Sequence, residues 1–178
     1  MIKIFFDTEF TGLHQDTTLI SIGCVSDNDK TFYAEFDDYD RSQMTDWLER
    51  NVVPKLSKPK YSRINDNVKM YGSKKQIASE IKNWLYSITD KTGEQLEFWG
   101  DCLHYDWILF CELYGGSQYI PSNVYYIPFD ISTMMKVKGI DPDIKREIFS
   151  NVNNNKHNAL ADALMIKKCY YNAEIIIK

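Results

Sequence analysis

Ile2-Lys3-Ile4-Phe5-Phe6-Asp7-Thr8-Glu9 is an apolar run broken once by Lys3 and ending in two acids one residue apart. The run is too short for a signal h-region or a membrane span, and its Ile and Phe content predicts a buried strand. Alternate strand side chains share a face, so Asp7 and Glu9 are predicted to project together toward one metal. The pair alone is a weak signal. A D-x-E arises readily by chance at this composition, and two surface acids at a strand end would explain it equally well.

Two more β-rich runs follow, Leu19 to Val25 and Thr31 to Phe36, and Asp27-Asn28-Asp29-Lys30 between them reads as a hairpin turn. With Ile2 to Phe6 they predict a three-strand antiparallel meander. Arg41 to Arg50 is helical in pattern, and Pro54 and Pro59 bracket a basic segment, predicted to be a surface loop extending to about Asn67. Ser73 can cap a helix whose Ile77, Ile81, Trp84, Leu85 and Ile88 form one apolar face.

Gln95 to Trp99 then reads as a fourth strand, and a helix from about Tyr105 to Tyr114 stops at Gly115-Gly116. Val124 to Ile127 reads as a fifth strand, Ile131 to about Val137 as a helix, and Asn151 to Asn155 as a polar loop before the last helix. A meander followed by strand-helix alternation predicts an α/β fold: a mixed five-stranded sheet, antiparallel meander plus two parallel strands, flanked by helices. Active sites in such sheets gather near strand ends. No repeat or long linker divides the 178 residues, which fits one domain, 1–178.

The formal charge of −4 argues against a protein that grips nucleic acid through a uniformly basic surface. Local basic stretches do occur, at Lys55, Lys58, Lys60 and Arg63, at Lys74 and Lys75, and at Lys136, Lys138, Lys145 and Arg146. Cys24, Cys102, Cys111 and Cys169 lie far apart without a C-x-x-C pair, as reduced cytoplasmic thiols would. No membrane segment is expected. The aromatic share of 14% suits either a core or surfaces for stacking on bases, and composition does not separate the two.

His157 and Asp162 form an H-x-x-x-x-D pair leading into the final helix. Within a helix, five positions would turn them about 140° apart. A shared site therefore requires His157 in the preceding loop, with Asn158 as N-cap. A lone His before a helix is more often a surface residue, so the pair gains weight only from a third element. That element is Trp99-Gly100-Asp101-Cys102-Leu103-His104-Tyr105-Asp106-Trp107, where a strand gives way to a helix among acids and aromatics. Asp106 is the third carboxylate region's candidate, and Asp101 its rival.

In this order the motifs resemble those of the DEDDh 3′-to-5′ exonuclease superfamily, which has a ribonuclease-H-like fold. Asp7-Thr8-Glu9-Phe10-Thr11-Gly12-Leu13 looks like its first motif, Tyr105-Asp106-Trp107 with Leu109 like its second, and His157-Asn158-Ala159-Leu160-Ala161-Asp162-Ala163 like its third. Asp7-Thr8-Glu9-Phe10, Leu19-Ile20-Ser21-Ile22-Gly23 and the Tyr105-Asp106 helix are similar to the RNase AS-like exoribonucleases, whereas Thr11-Gly12-Leu13 looks more like proofreading-type members. The resemblance implies that Asp7 bridges two ions, that Glu9 and Asp162 complete the one holding the catalytic water, and that Asp106 holds the other largely through water. It implies that Phe10, Thr11 and Leu13 line the terminal nucleotide. Tyr105 and Trp107 are candidates either to stack on substrate or to pack in the core. A homodimer is also implied.

Close carboxylates repel by about 4 kcal/mol per pair at an effective dielectric of 20. Two Mg²⁺ or Mn²⁺ ions would cancel four such charges, and hard oxygen ligands suit them better than zinc. Imidazole is the side chain suited to take a proton from water near neutral pH, so His157 is the expected general base. The expected activity is release of 5′ nucleoside monophosphates from the 3′ end of single-stranded RNA, with DNA as the alternative polymer. A catalytically silent ribonuclease-H-like binding module and a metal-dependent phosphatase of small nucleotides are the competing classes. All five expected functional residue types argue against the first, and the basic stretch from Lys55 to Arg63 against the second.

Overall fold

The computed structural model describes residues 1–89, 93–152 and 156–176. Its centre is a mixed sheet with strand order β4-β5-β3-β2-β1-β6-β7. β1 (Ile2–Phe10), β2 (Leu19–Ser26) and β3 (Thr31–Phe36) form the antiparallel meander. β6 (Leu96–Gly100) runs parallel to β1, and β7 (Phe129–Asp130) parallel to β6. On the other side, β5 (Asn67–Gly72) pairs parallel with β3 and carries β4 (Ser62–Ile64) as an antiparallel edge.

The α/β class and mixed sheet are as the sequence predicts, but the sheet has seven strands among the described residues instead of five. Of the two extra strands, β4 falls in the stretch read as a loop up to about Asn67, and β5 fills the residues between that loop and Ser73, to which the sequence pattern assigns no element. Asn65 and Asp66 both adopt positive φ, 49° and 62°, and close a two-residue hairpin turn. After it Val68, Met70 and Gly72 point inward on alternate positions. The prolines and lysines before Ser62 masked this short alternation. The fifth predicted strand is also displaced: Val124 makes only an isolated bridge to Leu96, and the paired strand begins after Pro128, which has no N–H to donate.

Six α-helices are present among the described residues: α1 (Asp46–Asn51), α2 (Lys74–Thr89), α3 (His104–Glu112), α4 (Ile131–Val137), α5 (Arg146–Ser150) and α6 (Ala159–Glu174). The helix expected over Arg41 to Arg50 is a 3-10 turn at Arg41–Gln43 followed by α1, which Thr45 caps by accepting from the Leu48 N–H. Ser73 and Gln76 cap the start of α2 reciprocally: the Ser73 N–H donates to Gln76 Oε1 at 2.9 Å and the Gln76 N–H to Ser73 Oγ at 3.4 Å. α5 was not anticipated. Of the polar loop expected over Asn151 to Asn155, residues 153–155 lie outside the described residues. No helix among the described residues is long and apolar enough to cross a membrane.

The two sheet faces bury different cores. Ile4 and Phe6 of β1 join Ile22, Phe32, Phe98, Ile77, Ile81, Trp84 and Phe110 under α2 and α3. Phe5 joins Val25, Ile131, Met135, Ala163, Ile166 and Tyr170 under α4 and α6. The strand's period of two thus assigns Asp7 and Glu9 to the α6 face and Thr8 to the α3 face.

Candidate active site

The site forms where α6 begins above the end of β1. Asp7 lies opposite Gly23 and Glu9 opposite Ser21 in the β1–β2 register. A Cβ on Gly23 would stand 2.3 Å from the carbonyl carbon of Ala159, so the first turn of α6 rests directly on the β2 backbone. That close approach carries Asp162 over the β1 acids. Asp7, Glu9 and Asp162 each offer a carboxylate oxygen within 4.8 Å of the others.

His157 sits in the loop before α6, at φ 63°, and its N–H donates to Asp162 Oδ2 at 2.9 Å. Asn158 caps the helix, its Oδ1 accepting from the Ala161 N–H at 3.1 Å. The same side chain donates from Nδ2 to the Tyr33 hydroxyl at 3.4 Å. The His157 and Trp47 rings meet in a T-shaped contact with centroids 4.9 Å apart.

Asp106 comes from the other layer. It is buried on α3, and its Oδ1 accepts from both the Thr8 N–H, at 2.9 Å, and the Thr8 hydroxyl, at 2.6 Å. It stands outside the group of three mutually close oxygens, yet its charge acts on that group. Burial holds Asp7 well above the usual carboxylate range, reinforced by Asp106, Asp162, Glu9 and Asp101 in that order. Burial, then Asp162 and Asp106, pushes Glu9 up to about 8. Asp106 is raised by burial, against the Thr8 hydrogen bonds that lower it.

Asp101, the rival of Asp106, is already engaged. Arg146 binds it through Nε at 2.6 Å and Nη2 at 2.9 Å, and the Ser132 hydroxyl donates to it at 2.6 Å. A bidentate guanidinium contact of this kind is among the strongest a carboxylate makes.

Phe10, Thr11 and Leu13 line a cavity of about 550 Å³ together with Asp7, Glu9, Thr45, Trp47, Leu48, His157 and Asp162. Leu13 is exposed, whereas Thr11 is buried and donates to Gln43 Oε1, tying the turn after β1 to the segment before α1. Tyr105 stacks on Phe10 with centroids 5.5 Å apart and faces a neighbouring cavity. Trp107 packs among Phe6, Phe98 and Phe110 and lines neither cavity that reaches the acids. Core packing is therefore the role its surroundings describe.

Sequence reading missed Trp47, Thr8 and Arg146. Thr8 carried a usable signal, since the middle residue of a D-x-E on a strand must face the opposite layer. Trp47 and Arg146 carried none, because only the folded chain brings them to the acids.

A donor set of carboxylate oxygens, with no thiol and no second imidazole, fits hard divalent ions. The raised Asp7 and Glu9 mark the electrostatic conflict that a cation would relieve.

The family described as the 3′-5′ exoribonuclease Rv2179c-like domain matches residues 2–173. Two Mycobacterium tuberculosis proteins, the 3′-5′ exoribonucleases Rv2179c of strain H37Rv and MT2234.1 of strain CDC 1551, are each 26% identical over 164 residues. That alignment covers 91% of this chain and 87% of theirs. A 3′-exonuclease solved in a study of 3′-end-specific recognition of the histone mRNA stem-loop superposes with a TM-score of 0.65 at 11% identity. The match covers 98% of this chain and 64% of that one, and it is a likeness of fold.

Proposed function

Because the chain belongs to the Rv2179c-like 3′-5′ exoribonuclease domain family, we propose that it releases 5′ nucleoside monophosphates one at a time from single-stranded RNA, at a site built from Asp7, Glu9, Asp106, His157 and Asp162. The observation that carries this reading is the meeting of Asp7, Glu9 and Asp162 within 4.8 Å, beside His157 and at the mouth of a nucleoside-sized cavity. The reading treats 1–178 as one exonuclease domain, supported by the family match and by the single continuous sheet.

Asp7, Glu9 and Asp162 would hold divalent cations, two Mg²⁺ or Mn²⁺ in this reading, with Asp106 contributing from the α3 side. Bound there, such ions would supply Lewis-acid polarisation of the phosphodiester and stabilisation of the leaving 3′ oxygen. The protein's own groups do the rest. Phe10, Leu13 and Trp47 enclose the terminal nucleoside and exclude water from its base. A ring nitrogen of His157 accepts the proton of the attacking water. The new P–O bond forms as the P–O3′ bond breaks and O3′ takes up a proton from solvent, which leaves a 5′ monophosphate and an RNA shortened by one nucleotide with a free 3′ hydroxyl. The Asp162 contact to the His157 N–H fixes the backbone from which the imidazole projects.

The test is digestion of end-labelled RNA, DNA and a free nucleotide with Mg²⁺ or Mn²⁺. Sequential 5′ monophosphates from the RNA 3′ end are expected, and EDTA should stop their release. Internal fragments, or release that persists in EDTA, would overturn the reading. DNA cleaved faster than RNA would reassign the polymer. A cytoplasmic location and a homodimer belong to the same reading. Four free cysteines support the first, and light scattering in solution tests the second.

A further inference from the structure

Two cavities open on the acids, and both have Asp7, His157 and Asp162 in their walls. The one of about 550 Å³ is walled by Phe10, Leu13, Trp47 and Leu48 and has no Lys or Arg in its lining. The other, about 410 Å³, runs past Asp101 and along the start of α5, where Lys145, Arg146 and Lys156 line it together with Asp143 and Glu147. Building on the exoribonuclease reading, we propose that this second cavity is the track for the RNA backbone upstream of the scissile bond, with Lys145 and Lys156 holding its phosphates.

An exonuclease substrate is lopsided about the bond that breaks. One nucleoside lies on the 3′ side, and a chain of phosphodiesters on the other. A site that serves both needs an apolar arm for the nucleoside and an arm with ammonium groups for the phosphates, meeting at the catalytic acids; the first cavity has the apolar wall and the second carries Lys145 and Lys156. Arg146 is not the phosphate ligand: its guanidinium is committed to Asp101, Ser132 and the carbonyl oxygens of Pro142 and Ile144. It anchors the segment that presents Lys145 instead. Lys145 directly precedes α5 and is exposed.

Lys156 borders the cavity next to His157 and pairs with Glu147 at 2.5 Å, its side chain 59% exposed. An ion pair so open to water is weakly held, so a phosphate can replace the carboxylate. Arg146 offsets the charge of Asp101, which would otherwise repel the strand. The basic stretch from Lys55 to Arg63 is no substitute, for it lines neither cavity, and Arg63 is paired with Asp66 and Glu80.

The test compares kcat/KM on oligoribonucleotides of increasing length, at several salt concentrations, for the wild type and the K145Q/K156Q double variant. In the wild type, kcat/KM should rise with each upstream nucleotide until the track is filled. The variant should lose most of that rise, about fivefold or more on a hexanucleotide, and its salt slope should fall by roughly 1.4, or about 0.7 per phosphate contact on a single strand. K145R/K156R should recover both. Equal length dependence and equal salt slope in wild type and K145Q/K156Q, or no recovery with arginine, would overturn the track. A wild type that releases no monophosphate from any RNA would instead overturn the exoribonuclease reading.

Discussion

Without divalent metal the protein is expected to lose stability as the pH rises from 5 to 8, and Glu9→Gln is expected to remove a large part of that loss. Glu9 is pushed from 4.5 up to about 8, first by burial and then by Asp162 and Asp106. Between those values the unfolded chain has released a proton that the folded protein still holds. Folding stability then falls by about 1.4 kcal/mol per pH unit for one such group, so the window from 5 to 8 amounts to on the order of 3 kcal/mol. Asp7 is raised for the same reasons and adds in the same direction. Glutamine keeps the shape and removes the titration. Urea unfolding followed by circular dichroism, in EDTA at pH 5, 6, 7 and 8, reads the effect. The wild-type midpoint should drop with pH, the variant's should drop less, and Mg²⁺ or Mn²⁺ should flatten the wild-type curve. A wild-type midpoint that is constant or rises over this range, or an identical slope in Glu9→Gln, would refute the reasoning.

Three further outcomes are expected. His157→Ala should keep Mn²⁺ binding, measured by calorimetry, while turnover drops by about 100-fold or more; turnover within a few fold of wild type would remove His157 from the chemistry. Gly23→Ala should cost about 3 kcal/mol in urea unfolding, because the new methyl would collide with the Ala159 backbone rather than a movable side chain. A loss below about 1 kcal/mol would mean that α6 is not seated on β2 as described. Thr8→Val should cost about 1 to 3 kcal/mol in EDTA by stripping a hydrogen bond from buried Asp106, with Thr8→Ser close to wild type; a loss in Thr8→Ser with none in Thr8→Val would make the methyl, not the hydroxyl, the important group.

Local signals in the sequence were enough where one element decided the outcome. The meander, the α2 face and the Asn158 cap each depend on neighbours a few residues away, and the structure has them where pattern and capping rules put them. Pairing across the chain was less legible. β5 is added beside β3 in parallel, a partnership set by burial of Val68 and Met70 against Phe32 and Ala34 that no local turn announces. The site divides in the same way. The five motif residues could be proposed from their order along the chain and its resemblance to a known family, but the side chains that restrain or frame them, Thr8, Arg146 and Trp47, depend on contacts between distant elements.

The strand that begins the chain also explains how the fold tolerates its acids. β1 lies inside the sheet, paired on both edges, with Phe5 under α6 and Phe6 under α3. Two buried cores thus clamp it immediately before Asp7, Thr8 and Glu9 diverge to opposite faces. Burying a large aromatic side chain contributes about 1.5 to 3 kcal/mol, so the two phenylalanines together are of the same order as the penalty that burial, and then repulsion, imposes on ionised Glu9. Asp106 can then approach from the α3 side, held by Thr8, without entering the Glu9–Asp162 group and adding a fourth close charge. If the clamp is what sustains the acids, Phe6→Leu, which weakens the α3 side alone, should make the metal-free protein more sensitive to rising pH than the protein with Mn²⁺ present. An equal loss of stability in both states would mean that the core and the acid cluster are energetically independent.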